Sequence, residues 1–467
     1  MIAFGTSGWR AVIADEFTFA NVRLVALVIA RYLKAQGLED RKVVVGYDTR
    51  FMSDLFAQQA GAVITHEGIP VIYSKRDVPT PVIAFTTIDR KAAGAINITA
   101  SHNPYQYNGL KFSPNTGAPA PPAVTQAIEE EIHKLQSQHL QLAPAEPIES
   151  LFQEDDFAPA YIQDIGAKID LSTLAASPQK VAYNPLWGTG RGYVDRVLRE
   201  AGWRVDVIHG ELNPLFGGGR PEPSEEEMSD FIEMVREGNY LLGLATDGDA
   251  DRFGIVDKGG EFVSANHVLA LVFRYLIEEK GLRGGVARSV ATTHLLDRLA
   301  HHFDRPVYET PVGFKFVGQY ILEDKVALGG EESAGLSIRG HVPEKDGILA
   351  CLLVAEMVAK TGASLGELLE DLFRLVGPLY SKRVNIPLTP TLKEHLHERL
   401  KAHPETLAGK KVEDVITIDG TKFLLEDGSW LLFRPSGTEP LVRLYVEAES
   451  PKLLDVLVEE GKKLIWA

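Results

Sequence analysis

Three stretches of the chain share one layout: a short β-branched run, a turn carrying Gly, Asp or Asn, and then a helical pattern. "KVVVGYDTR" precedes "LFAQQAGAVI", "KVAYNPLWGTGRGYV" precedes "VDRVLREAG", and "GGVARSVATTHLLDRLA" holds both parts. A strand followed by a helix returns to its sheet by a crossover, so repeated units of this kind point to parallel or mixed sheets covered by helices, an α/β class. The common layout suggests related modules. The 467 residues suit about three domains, with room for four.

Composition sets the boundaries. "APAPPAV" and "QLAPAEPIES" surround a polar helical stretch and end a first module near residue 145. A second runs over 146–256, just short of the Gly259–Gly260 turn, and a third over 257–370. "PLYSKRVNIPLTPT" opens a smaller, different module over 371–467.

With 45% hydrophobic and 24% charged residues the chain has a globular composition. Its one cysteine, Cys351, excludes an intramolecular disulfide framework and a multi-cysteine zinc site. The opening "IAFGTSGWR" has no basic start, long apolar run or cleavage site, so a cytoplasmic setting is expected. A net charge of -16 argues against binding nucleic acid or an anionic membrane, and no apolar run is long enough to span a bilayer. A small anion in a local basic pocket remains compatible with that charge.

Four segments carry chemistry. In "LATDGDADRFG", Asp247, Asp249 and Asp251 alternate with small residues at a strand end, a set of hard oxygen donors suited to Mg²⁺ or Ca²⁺. A calcium loop counted from Asp247 would need Gly at Arg252 and Glu at Lys258, and has neither. In "LLFRPSGTEPLVRLYVEA", Arg434, Ser436, Gly437 and Thr438 offer a guanidinium fork, hydroxyls and backbone amides to a phosphate monoester. Arg443 adds a second cation or is a surface arginine. In "VALGGEESAGLSIRG", Glu331, Glu332 and Ser333 match sugar hydroxyls, with Lys315 of "ETPVGFKFV" upstream. Taken alone, each of these loops also fits a solvated polar turn.

The fourth segment, "TASHNPYQYNGLKF", contains Ser101, a nucleophile if His102, Lys111 or another base takes its proton. The hydrolase elbow G-x-S-x-G is absent, since Thr99 and Asn103 stand where its glycines belong. No Walker P-loop is present, and "GTGRG" fails the dinucleotide fingerprint at Tyr193.

In that order, "TASHNPYQYNGLKF", "DGDADRFG", "GGEESAG" and "RPSGTEPLVR" resemble the α-D-phosphohexomutase family of phosphoglucomutases and phosphomannomutases; "FGTSGWRA" resembles its N-terminal signature. The resemblance implies a four-domain, heart-shaped architecture, with three related α/β domains and a C-terminal α+β domain of TATA-binding-protein-like topology around a cleft. It implies that Ser101 is a phosphoserine and that Asp247, Asp249 and Asp251 hold Mg²⁺ with a phosphoserine oxygen. Glu331 and Ser333, with Lys315, would contact the sugar, and Arg434, Ser436, Gly437 and Thr438, with Arg443, the phosphate that is not transferred. His102 and Lys111 are candidate bases, and Arg10, Arg252 and Lys111 would stabilise the moving charge. The Glu-Glu-Ser core of "GGEESAG" resembles the phosphoglucomutase version of that loop, which implies glucose 1-phosphate and glucose 6-phosphate as substrates, mannose phosphates as second choice, and glucose 1,6-bisphosphate as intermediate and activator. Ala334 departs from the Gly or Phe common there. A monomer or dimer acting on a hexose phosphate is expected. A metal-dependent sugar phosphatase using the same serine, or a non-catalytic sugar-phosphate sensor, are the competing classes.

Overall fold

The strand Val43–Tyr47 is buried through its apolar residues, as a central parallel strand must be when helices cover both faces of its sheet. The computed structural model describes residues 2–5, 8–435 and 441–466. Val43–Tyr47 is flanked in parallel by Val71–Ser74 and Gly94–Ile98. Gly94–Ile98 then turns back antiparallel into Tyr107–Pro114, and Trp9–Val12 adds the far edge. Ser101 therefore lies in a connection at the carboxyl end of an interior strand, where open α/β sheets bind ligands.

The second and third sheets repeat this device. Leu242–Thr246 pairs in parallel with Lys180–Asn184 and turns back antiparallel into Phe253–Asp257, with the three aspartates in the turn. Val326–Glu331 pairs in parallel with Gly285–Ser289 and turns back into Gly335–Ile338, with Glu332 and Ser333 in the turn. Arg204–Val207 and Glu261–Val263 edge the second sheet and Val307–Thr310 the third. Each α/β module thus presents one chemistry-bearing hairpin in the same topological place.

Two strands cross the boundaries read from composition. Phe152–Asp155, beyond residue 145, pairs in parallel with Val71–Ser74 and completes the first sheet. Its Phe152 ring sits so close to Gly61 that a Cβ there would lie 2.7 Å away. Glu261–Val263, beyond residue 256, joins the second sheet through Phe253–Asp257, because the Gly259–Gly260 turn is the tip of a hairpin.

The first three modules share one apolar cluster, and the first and fourth also keep interiors of their own. One apolar core runs from Val44 and Ile72 under the first sheet, past Val181 and Leu244, to Val286 and Leu328. The helix Gly347–Thr361 lies within it, apolar nearly all round and buried for most of its length. Asp346 caps its start by accepting from the Leu349 amide at 2.8 Å, and Cys351 on it donates to the Ala245 carbonyl at 3.4 Å. Among the described residues no single helix is long and apolar enough to cross a membrane.

The fourth sheet is antiparallel, ordered Tyr380–Pro387, Leu441–Ala448, Trp430–Pro435, Thr421–Leu425, Lys410–Ile416, Thr406–Leu407. The helices Pro390–Lys401 and Pro451–Trp466 cover one face through Leu396, Leu457 and Ile465. On the other face Trp430, Leu432 and Tyr445 pack on Val290 and Ala291 of the third module. The fully buried Lys422 joins the same contact, donating to the Val290 carbonyl at 2.9 Å and pairing with His294 Nε2 at 2.8 Å.

Gly109 shows how tightly the serine hairpin is built. A Cβ there would lie 2.5 Å from the Thr99 carbonyl oxygen and 2.7 Å from that of Trp9, both backbone atoms of adjoining strands. Gly109→Ala is expected to lower stability by about 1–3 kcal/mol, read as a reduced Tm in thermal denaturation. An unchanged Tm would show that these strands separate freely.

Candidate functional site

Loops of the first and second modules meet at Ser101. Its backbone has φ 51°, a left-handed conformation that a side-chain-bearing residue adopts only when its surroundings enforce it. Its amide donates to Thr99 Oγ1 at 2.9 Å, and its Oγ donates to Asp247 Oδ2 at 2.9 Å. His102 Nδ1 lies 3.3 Å from the same Oγ. Gly248 allows the approach, since a Cβ on it would stand 2.7 Å from the Ser101 carbonyl oxygen.

The aspartate loop docks on the first module. Asp249 Oδ2 accepts from Thr80 Oγ1 at 2.6 Å and from Lys111 Nζ at 2.6 Å, and its carbonyl accepts from the Thr80 amide at 2.9 Å. Asp251 Oδ2 accepts from Lys345 Nζ at 2.6 Å and from Lys111 Nζ at 3.3 Å. Asp247 Oδ1 accepts from the Arg252 amide at 3.0 Å. One carboxylate oxygen of each aspartate lies within 4.8 Å of the others, and all three residues are buried. Asp249 Oδ1 and Asp251 Oδ1 are buried without a hydrogen-bond partner. Buried, unpartnered hard oxygens at this spacing fit a divalent cation of the Mg²⁺ type.

Burial, then the charges of Asp249 and Asp251, push the Asp247 carboxyl well up. Burial acts the same way on Asp249, but the Lys111 ammonium, the Thr80 hydroxyl and the Lys345 ammonium together outweigh it and hold that carboxyl well down. For Lys111 burial is likewise overcome, by Asp249 and then Asp251, so its ammonium is stabilised. Paired in this way Lys111 has no lone pair to accept a proton. Burial first, then Arg252 and Arg10, hold the His102 ring well below the usual histidine range, which leaves it neutral. Arg10 on Trp9–Val12 donates to Asn103 Oδ1 at 2.7 Å, and Arg252 donates to Glu222 Oε1 at 3.2 Å while its buried Nε lies 4.0 Å from Asp251 Oδ1.

A second group forms around the third module's hairpin. Glu331 Oε1 accepts from the Gly313 amide at 2.7 Å, which fixes the start of the helix Phe314–Leu322 carrying Lys315. Lys315 is half-buried, with its Nζ 5.4 Å from the centre of the Phe316 ring. Glu332 Oε2 accepts from Ser289 Oγ at 2.8 Å and Thr292 Oγ1 at 3.2 Å. A cavity of about 240 Å³ joins Ser333 and Glu332 to Arg252 on one side and to Arg383 and Tyr445 of the fourth module on the other. Arg434 Nε donates to Asp419 Oδ2 at 2.9 Å, and the same oxygen accepts from the Val312 amide at 3.0 Å. Arg443 stands opposite Arg434 across the two strands. Ser436, Gly437 and Thr438 lie outside the described residues.

Sequence reasoning singled out Ser101, His102, Lys111, Arg10, Arg252 and the three aspartates, and all stand in the first group. It passed over Lys345, Thr80 and Asp419, whose neighbours in sequence give no signal, and Arg50, visible only as part of a strand-and-turn motif. Arg50 is buried beneath the serine loop.

A serine against a buried carboxylate cluster, flanked by cations, is an arrangement suited to phosphoryl transfer, in a chain of four modules. Family models for phosphoglucomutase/phosphomannomutase match along the chain: alpha/beta/alpha domain I over 1–139, domain II over 159–260, domain III over 264–376 and the C-terminal domain over 390–463. A Thermococcus kodakarensis phosphoglucomutase/phosphomannomutase is 32% identical over 99% of this chain and 98% of its own. A Methanothermobacter thermautotrophicus protein provisionally named phosphoglucosamine mutase is 33% identical over 96% of this chain and 94% of its own. A solved Thermus thermophilus structure, provisionally named phosphomannomutase, is 36% identical, has a TM-score of 0.88, and is covered over 99% of its length by all of this chain. The chain belongs to the phosphoglucomutase/phosphomannomutase family of α-D-phosphohexomutases and is an enzyme of that isomerase class.

Glu331 provides a pH test. Burial, then the Glu332 charge, push its carboxyl up from 4.5 to about 7. The folded form holds this proton more tightly than the unfolded form, so the stability it confers is full at low pH and is lost as pH rises from about 4.5 through about 7. The Tm of the parent minus that of Glu331→Gln is expected to fall across this window and then level. A difference independent of pH would contradict the assignment.

Proposed function

We propose that the chain interconverts glucose 1-phosphate and glucose 6-phosphate through a phosphorylated Ser101 and a bound glucose 1,6-bisphosphate. The observation that carries this reading is the Ser101 Oγ donating to Asp247 at 2.9 Å inside the carboxylate cluster. Asp247, Asp249 and Asp251, with a phosphoserine oxygen, would hold Mg²⁺, which when bound supplies charge neutralisation at the moving phosphoryl group.

This chain's own groups do the rest. Lys111, Arg10 and Arg252 supply fixed positive charge in a buried site, where it is worth more than in water. In the forward half-reaction the Ser101 Oγ–P bond breaks, a sugar O–P bond forms, and the attacking hydroxyl gives up its proton. In the return half-reaction the other sugar O–P bond breaks, Oγ–P reforms, and a proton is returned to the sugar oxygen. We assign the exchange of that proton to His102, whose Nδ1 lies 3.3 Å from Oγ. Between the halves the bisphosphate turns end for end. Arg434, Ser436, Gly437 and Thr438, with Arg443, hold whichever phosphate is not reacting, while Glu331, Ser333 and Lys315 meet the sugar.

The Glu-Glu-Ser hairpin supports glucose phosphates. The relatives named phosphoglucosamine mutase and phosphomannomutase favour glucosamine and mannose phosphates as the second reading.

A coupled assay with Mg²⁺ and a trace of glucose 1,6-bisphosphate, run with glucose, mannose and glucosamine 1-phosphates, tests this. Glucose 1-phosphate is expected to give the highest kcat/KM. Ser101→Ala is expected to lose a factor on the order of 10⁴ or more, and chelation is expected to abolish turnover until Mg²⁺ is restored. A higher kcat/KM for another sugar would move the substrate assignment. Release of inorganic phosphate without isomerisation would indicate a phosphatase, and binding without turnover a sensor.

A further inference from the structure

One guanidinium holds the serine loop from beneath. Arg50 follows the strand Val43–Tyr47, is 3% exposed, and has all five N–H donors engaged. Nε donates to Asp48 Oδ2 at 3.0 Å, and Nη1 donates to the carbonyls of Pro104 at 2.8 Å and Tyr107 at 3.0 Å. Nη2 donates to the carbonyls of Ser101 at 2.5 Å and Asn103 at 2.6 Å. Four carbonyls of one loop thus converge on a single planar fork, which a lysine's point charge cannot reproduce.

Asp48 holds the other side of the same residue. It accepts from Thr99 Oγ1 at 2.7 Å, and Thr99 Oγ1 in turn accepts from the Ser101 amide at 2.9 Å. The carbonyl and the amide of Ser101 are therefore both fixed, one by Arg50 and one through Asp48, across a backbone with φ 51°. The Phe216 ring of the second module lies 4.9 Å from the guanidinium, so the module that brings Asp247 to Oγ also covers the clasp.

Resting on the reading of Ser101 as phosphoryl carrier, we propose that Arg50 is a positioning residue for phosphoryl transfer: it holds Ser101 in the left-handed backbone that presents Oγ to Asp247. It touches neither the substrate nor the moving phosphoryl group. A plain structural brace would affect stability and leave turnover of the folded enzyme intact. A positioning group affects turnover, because displacing a reacting atom by an ångström costs about 100-fold in rate.

The test uses the full chain with Mg²⁺, comparing Arg50→Lys, which keeps the charge facing Asp48, and Thr99→Val, which removes the hydroxyl holding the Ser101 amide. Readouts are Tm, kcat and KM for glucose 1-phosphate, and the rate at which glucose 1,6-bisphosphate phosphorylates Ser101, followed by intact mass. For folded Arg50→Lys the expected result is kcat lower by about 100-fold, KM within about threefold, and phosphorylation slowed by the same factor as kcat. Thr99→Val is expected to move in the same direction. Parental kcat and phosphorylation rate in both variants would overturn the proposal while leaving Ser101 as carrier. If the parent itself gains no phosphate on Ser101, the carrier reading falls and this proposal with it.

Discussion

Three carboxylates buried in one turn repel one another, and everything else in the site answers that repulsion. Asp247, Asp249 and Asp251 come from a single hairpin of the second module, but the cations that offset them come from elsewhere. Lys111 belongs to the first module and Lys345 to the stretch after the third module's hairpin. Burying such charges is unfavourable unless partners are in place, so the cluster is stable only when the modules are assembled. The shared apolar core through the helix Gly347–Thr361 supplies the driving force for that assembly. Electrostatics then sets its register, since a lysine displaced by a few ångströms would leave a carboxylate uncompensated.

Much of this was legible in the sequence for a local reason. A β-branched run followed by a turn and an amphipathic stretch is written in consecutive residues, and the strands Val43–Tyr47, Lys180–Asn184 and Gly285–Ser289 lie where those runs stand. The aspartate triplet was equally visible, because alternation with Gly248 and Ala250 is a local pattern. What escaped was partnership over distance. Nothing in "FQED" says that Phe152–Asp155 pairs with a strand eighty residues earlier, and nothing near Lys345 announces Asp251. The role of Arg50 escaped for the same reason, since its five acceptors include carbonyls more than fifty residues away.

The fourth module is joined differently from the first three. Its sheet face carries both an apolar contact, Trp430, Leu432 and Tyr445 on the third module, and the cations Arg434 and Arg443. Asp419 links the fourth module to the third, because one carboxylate oxygen accepts from Arg434 and from the Val312 amide. The setting of Arg434 is therefore tied to the way the module is docked. Movement of this sheet on its neighbour would alter both together.

The single thiol has a practical consequence. Cys351 sits fully buried on the central helix with its Sγ donating to the Ala245 carbonyl, and burial drives its ionisation far above the range in which a thiolate forms. Alkylating reagents and mild oxidants therefore have no nucleophile to meet while the modules stay packed. Once that helix leaves the core, the thiol becomes available. The chain carries a built-in, single-site chemical clock for its own opening, readable by mass without introducing any label.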